Sequence, residues 1–170
     1  MHQKRENKME IPKEAVEQAK LFFFRAMRQA LSSESGWSGQ TFSHQEGGLR
    51  FSGMLKIVND SNSTVLLHAR MDISFRGTQI WSMHCDGRCR KRDLPFLRHV
   101  LLHSYARREF IGGRGQIHYE RGLRAYGNRP FPGRFEAFCG SEKVHKVPSK
   151  GSAVYQVTSL LSYAGGLVHG

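Results

Sequence analysis

The residues able to do chemistry are thinly spread in this chain. Cys85 and Cys89, four apart, stand beside His84 and ahead of His99 and His103, a set that could ligate a metal ion. Zinc sites ordinarily combine two such couples at tighter spacing; with one couple present, these cysteines read as structural and no metal is expected. Glu136, Glu142, Asp72, His118 and His145 are candidates for acid–base work, and Cys139 with His118 or His145 for a nucleophile and its base. No spacing forces any of them together, as a working acid and base require. Gly112-Gly-Arg-Gly115 is rich in glycine but follows a helical pattern instead of a strand, and no Walker loop or dinucleotide fingerprint occurs. The chain reads as non-enzymatic, with no cofactor expected.

Charge is the stronger signal. The net charge is +12 with a pI near 10.1. Between Arg88 and Arg134 twelve Arg or Lys face three acids, and eleven of the twelve are arginine, whose planar fork suits phosphates and carboxylates. Arg88, Arg90, Lys91 and Arg92 precede a helix whose first amides add positive potential, while Tyr119, Tyr126 and Phe131 interleave with Arg121, Arg124 and Arg129. Stacking combined with charge points to a nucleic acid or an acidic protein as partner, in a regulatory role. The plainer reading of the same residues is a solvated basic loop with its tyrosines turned into the core. A second functional class is a small-molecule sensor or enzyme with a pocket between sheet and helices, lined by Trp81, His84, Glu142 and Tyr155. Trp37, between glycines, is either an exposed platform for a base or a plug beneath a sheet.

These side chains must be positioned by a modest set of elements. Residues 1–11 are polar and aperiodic, an N-terminal arm. From Pro12, Ala15, Val16, Ala19, Phe22, Phe23, Ala26, Met27 and Ala30 fall at helical spacing, with Glu14 and Glu17 placed against the dipole; the helix is expected over 12–32. Residues 32–48, rich in Ser and Gly, read as a long loop. Strands are expected over 49–58, 64–75 and 79–85, separated by the turns Asn59–Ser63 and Arg76-Gly77. Asp86-Gly87 reads as the turn that ends the last of them, and Asp93 as the cap of a second helix ending near Arg108. Leu94, Leu97, Leu101 and Tyr105 form that helix's apolar ridge. Beyond it, 117–126 reads as a weak strand, 127–133 as a turn-rich loop, and 134–139, 143–147 and 153–161 as strands. The stretch from Gln79 to Asp93 is thus a hinge between halves 12–92 and 93–170, each reading helix, loop and strands. Phe22 matches Phe96, and Trp81 matches Tyr155, at one common offset, which suggests a duplicated α-β-β-β unit. The expected fold is α+β, one domain over 12–170 with two helices on one face of a curved antiparallel sheet. No apolar run reaches the length of a membrane span, no signal peptide is evident, and the sparse, odd cysteine count fits a reducing cytoplasm.

Met71 through Gly87, Phe135 through His145, and Val154-Tyr155 leading to Gly165-Gly166-Leu-Val168 carry a resemblance to the bacterial DUF5680 family of domains. In that family a phenylalanine, a glycine and an acid precede a short hairpin, a Val-Trp or Val-Tyr pair follows, and a glycine pair closes the domain. Phe138, Gly140, Glu142, Tyr155, Gly165 and Gly166 occupy those places here. The strands lack the family's tyrosine and acidic richness, and the centre of this chain is far more basic. The resemblance implies company with helix-turn-helix regulators in some members, and supplies no catalytic residue.

Overall fold

A computed structural model describes residues 11–32, 41–152 and 154–168. Its order is α1 (Lys13–Ser32), β1 (Thr41–Glu46), β2 (Leu49–Asn59), β3 (Thr64–Phe75), β4 (Thr78–Arg90), a 3-10 turn (Lys91–Asp93), α2 (Leu94–Ala106), β5 (His118–Arg121), β6 (Arg124–Arg134), β7 (Ala137–Lys146) and β8 (Gln156–Leu167). The strands form one eight-stranded antiparallel sheet in the order β1-β2-β3-β4-β8-β7-β6-β5. Each half is therefore a helix followed by a four-strand meander, and the halves join through their last strands, β4 and β8. The α+β expectation, with two helices on one face of a curved open sheet, holds. No described helix is long and apolar enough to cross a membrane.

Packing follows from two periodicities. Ala15, Val16, Ala19, Phe22, Phe23, Ala26, Met27 and Leu31 recur at three and four residues and are the buried side of α1. On β2, Leu49, Phe51 and Leu55 alternate with exposed Arg50, Met54 and Lys56; on β3, Val65, Leu67, Ala69, Met71 and Ile73 face the same way. Both helices pack on that inner face. Phe22 stacks on His44 of β1 at 5.4 Å, and Arg25 pairs with Glu46 at 3.1 Å, which ties α1 to one edge strand. Tyr119 of β5 packs on Phe96, His99 and His103, which ties α2 to the other. Trp81, between the two edges, stacks on Phe135 at 5.0 Å and meets Phe23 edge-on at 5.2 Å. No helix among the described residues packs on the other face of the sheet.

Several boundaries differ from the expected ones. Residues 41–46, read as loop, form β1, joined to β2 by Gly47-Gly48 with φ of 57° and 83°, a two-residue hairpin turn open to glycine. Asp86-Gly87 is no turn, because β4 runs through it to Arg90. Gly87 is needed there for a different reason: a Cβ would lie 2.2 Å from the Leu160 carbonyl oxygen. Residues 127–133 belong to β6, where the β6–β7 register shifts between Pro130 and Gly133, a bulge that takes in Phe131 and Pro132. β7 and β8 are each continuous, at Ala137–Lys146 and Gln156–Leu167. The unit is α-β-β-β-β, not α-β-β-β. Trp81 lies inside β4, whereas Tyr155 precedes β8, so the two are not equivalent. Trp37 lies outside the described residues.

Candidate functional site

The basic residues singled out from the sequence fall into two groups on opposite sides of the sheet. Arg88 and Arg90 alternate outward on β4, Arg88 exposed and paired with Asp60 at 3.1 Å. Arg129 of β6, opposite Ser141, faces the same helix-free side, and Lys91 and Arg92 are exposed in the 3-10 turn. Arg121 and Arg124 lie instead with the helices. Arg124 Nε donates to Asp93 Oδ1 at 3.1 Å, and Arg121 rests beside His99. Asp93 makes no capping hydrogen bond; buried, it accepts from Arg124, from Thr158 at 2.6 Å and from Ser159 at 2.7 Å, which locks α2 to β6 and β8. The interleaved tyrosines are not stacking platforms. Tyr126 is fully buried and donates to Glu142, and Tyr119 is half-buried against α2. The plainer expectation for Tyr126, a tyrosine turned into the core, is what the inward phase of β6 produces.

Trp81, His84, Glu142 and Tyr155 line no common pocket. Trp81 and Glu142 point inward and are buried, His84 points outward, and Tyr155 is exposed against His145. The described cavity between helices and sheet has a volume of about 40 Å³, bounded by Met27, Leu31, Leu55, Leu67, Met71 and Leu101 with Arg114 at its polar end. Sites for drug-sized ligands run to roughly 300–1,000 Å³. This cavity is far smaller. A wider hollow of about 420 Å³ lies on the sheet between β1 and β3, along Thr41, Ser43, Arg50, Ser52, Arg70 and Asp72.

Inside the core, Arg114 and Glu142 form a buried ion pair, Arg114 Nε donating to Glu142 Oε1 at 2.8 Å. The second carboxylate oxygen accepts from Tyr126, whose own oxygen accepts from the Gly115 N–H at 2.9 Å. Asn128 donates to the Gly115 and Ile111 carbonyls and accepts from Tyr163 at 2.6 Å. Tyr105 donates to the Gly113 carbonyl at 2.7 Å. Each of these side chains has a hydrogen-bond partner in the network. Burial pushes the Cys85 thiol up to about 12, so beside Glu142 it is a protonated donor and not a nucleophile. The other chemical candidates do not assemble. Glu136 is exposed in the β6–β7 turn while Glu142 is buried; Asp72 binds Arg70 and Gln79; His118 lies by Glu120 at 3.7 Å. Exposed Cys139 donates to the Phe131 carbonyl, and no hydrogen bond joins it to His118 or His145 among the described residues. Among those residues no three His, Cys, Asp or Glu converge as metal ligands.

The residues carrying the family resemblance acquire physical reasons. Phe138, Gly140 and Glu142 are alternate residues of β7 facing inward: Phe138 stacks on Trp81, Glu142 holds Arg114, and a Cβ at Gly140 would lie 2.4 Å from the Arg129 carbonyl and 2.5 Å from the Tyr163 hydroxyl. What charge counting missed is the bare face. Arg50, Lys56, Arg70 and Lys143 all lie outside the central arginine-rich run, yet the alternation of β2 and β3 marks the first three as outward. Arg114 had no outward signal, because its glycine-flanked segment reads as a flexible loop. No family model matches the chain, and neither a curated protein nor a solved structure does.

Proposed function

We propose that this protein is a non-enzymatic module that binds the phosphate backbone of duplex nucleic acid through the helix-free face of its sheet. The carrying observation is the placement of Arg50, Lys56, Arg70, Arg88, Arg129 and Lys143 on that face. Cross-strand partners share a face, so Lys56, His68, Asp86, Ser162, Ser141 and Arg129 form one outward row. Five strand spacings make that row about 24 Å long, less than one duplex turn of about 34 Å and enough to reach phosphates of both strands. The face's acids are already engaged, Asp72 by Arg70 and Asp86 by His68. Arg50, Lys56, Arg129 and Lys143 have no ion pair among the described residues. Its aromatics lie at the margins, Phe131 and Tyr155, which favours backbone contact with a duplex over base stacking on a single strand. The DUF5680-like pattern and its regulatory setting are part of this reading.

Replacing Arg50, Lys56, Arg129 and Lys143 with alanine is expected to flatten the slope of log affinity against log salt by about 0.9 per lost contact, up to ~3.6. Folding should change little, within about 0.5 kcal/mol per surface substitution. Fluorescence anisotropy on a labelled duplex across salt concentrations measures the first, a melting curve the second. No duplex binding at low salt defeats the proposal, and an unchanged slope removes the interface from this face. Retention of an acidic peptide in place of DNA makes the partner a protein.

A further inference from the structure

We propose a second, separate site between α2 and β5: an oxyanion site for a phosphoryl or sulfuryl group, built from Arg121, Tyr119, His99 and His103. Its geometry follows from two spacings. His99 and His103, four apart on α2, share one helical face, and Tyr119 and Arg121, two apart on β5, share one strand face. The two elements pack together, so the four side chains meet. The Tyr119 hydroxyl lies 2.8 Å from His99 Nε2, and Arg121 Nη1 lies 3.2 Å and 3.4 Å from the two ring nitrogens of His99. The His103 ring is 5.5 Å from that of Tyr119. Glu120, between Tyr119 and Arg121 in the chain, takes the opposite phase of the strand and lies by His118 at 3.7 Å.

The cluster is rich in donors. The Arg121 guanidinium carries five N–H groups and no acceptor, and it lies against His99, whose neutral imidazole offers one lone pair. Among the described residues the Arg121 guanidinium has no ion pair, and it faces the His99 ring. Burial first, then the Arg121 guanidinium from β5 and the neighbouring His103 on its own helix, hold the His99 imidazole below the ordinary 6.5. An oxyanion seated among these groups would accept from Arg121, Tyr119 and the imidazoles at once, and its negative charge would reverse that depression. Proton uptake by His99 is then linked to binding. The sign is fixed: the bound form holds more protons than the free form, so affinity rises as pH falls between the two pKa values, by up to about tenfold per pH unit for one linked proton. Because the site is on the helix side of the sheet, its failure leaves the bare-face proposal standing.

Isothermal titration of the full chain with sodium sulfate, at constant ionic strength, tests this; sulfate stays a dianion between pH 8 and pH 6, so any pH dependence belongs to the protein. Saturable binding at pH 6 that weakens toward pH 8 is expected, together with an upward shift of the His99 ring titration by NMR. Arg121→Gln should abolish binding, His99→Gln should retain it without the pH dependence, and Lys56→Ala on the opposite face should leave it unchanged. Inorganic phosphate, and a 5′-phosphorylated oligonucleotide beside its 5′-hydroxyl counterpart, distinguish a free anion from a nucleic-acid end. No saturable sulfate binding at pH 6, or binding undiminished in folded Arg121→Gln, overturns the site; pH-independent affinity in the unmodified protein overturns the role of His99.

Discussion

Glu142→Ala is expected to destabilise the fold by about 3–5 kcal/mol, because it leaves the Arg114 guanidinium buried without a counter-charge. Arg114 is only 4% exposed, and Glu142 supplies the carboxylate that its guanidinium binds. The same deletion removes the acceptor of the buried Tyr126 hydroxyl. A domain of this kind commonly has about 5–15 kcal/mol in total, so the variant should unfold at much lower urea than the parent. Removing the pair as a unit is a different matter. Arg114→Met combined with Glu142→Leu exchanges two buried charges for apolar groups and is expected to recover part of the loss, since a buried pair repays little more than its own desolvation while the Tyr126 hydroxyl still lacks its acceptor. Urea titration of the two variants beside the parent measures both. A Glu142→Ala protein as stable as the parent would mean that water reaches Arg114.

Trp81→Ala is expected to cost a similar ~3–5 kcal/mol, through a void and not through a charge. The indole is fully buried, stacked on Phe135 and Phe138 and met edge-on by Phe23, and its Nε1 donates to the Phe135 carbonyl at 2.9 Å. Alanine empties the centre of the aromatic cluster that joins α1 to both halves of the sheet and leaves that carbonyl without its donor. Trp81→Phe should lose less, because it keeps most of the packing and forfeits the hydrogen bond. A melting curve ranks the three proteins, and parent, Phe and Ala in falling order is the expected result.

The fold was legible wherever one face of an element is apolar and the other wet. Alternation on β3 and the three-and-four spacing of α1 located those elements nearly to the residue, because each reports burial directly. It was illegible where glycine serves close approach instead of a turn. Gly87 reads as punctuation but admits the Leu160 carbonyl within a continuous strand. Gly112 and Gly115 read as flexible, yet they admit the Tyr163 and Tyr126 rings and so bury Arg114. The basic character of the candidate interface was visible in composition, but its location was not. Neighbours in sequence such as Tyr126 and Arg129 go to opposite sides of a strand, whereas Lys56 and Arg129, far apart in the chain, are brought to one row by the pairing of β4 with β8. Only the strand order supplies that information.

The most direct test of the bare-face interface is an amide and side-chain NMR titration of the protein with a duplex of about 20 base pairs at low salt. Shift changes are expected to concentrate on the outward residues of β2, β3, β4, β7 and β6, with Lys56, Arg70, Arg88, Lys143 and Arg129 among them, and to recede as salt is added. Perturbations confined to α1 and α2, or none at all, would contradict it.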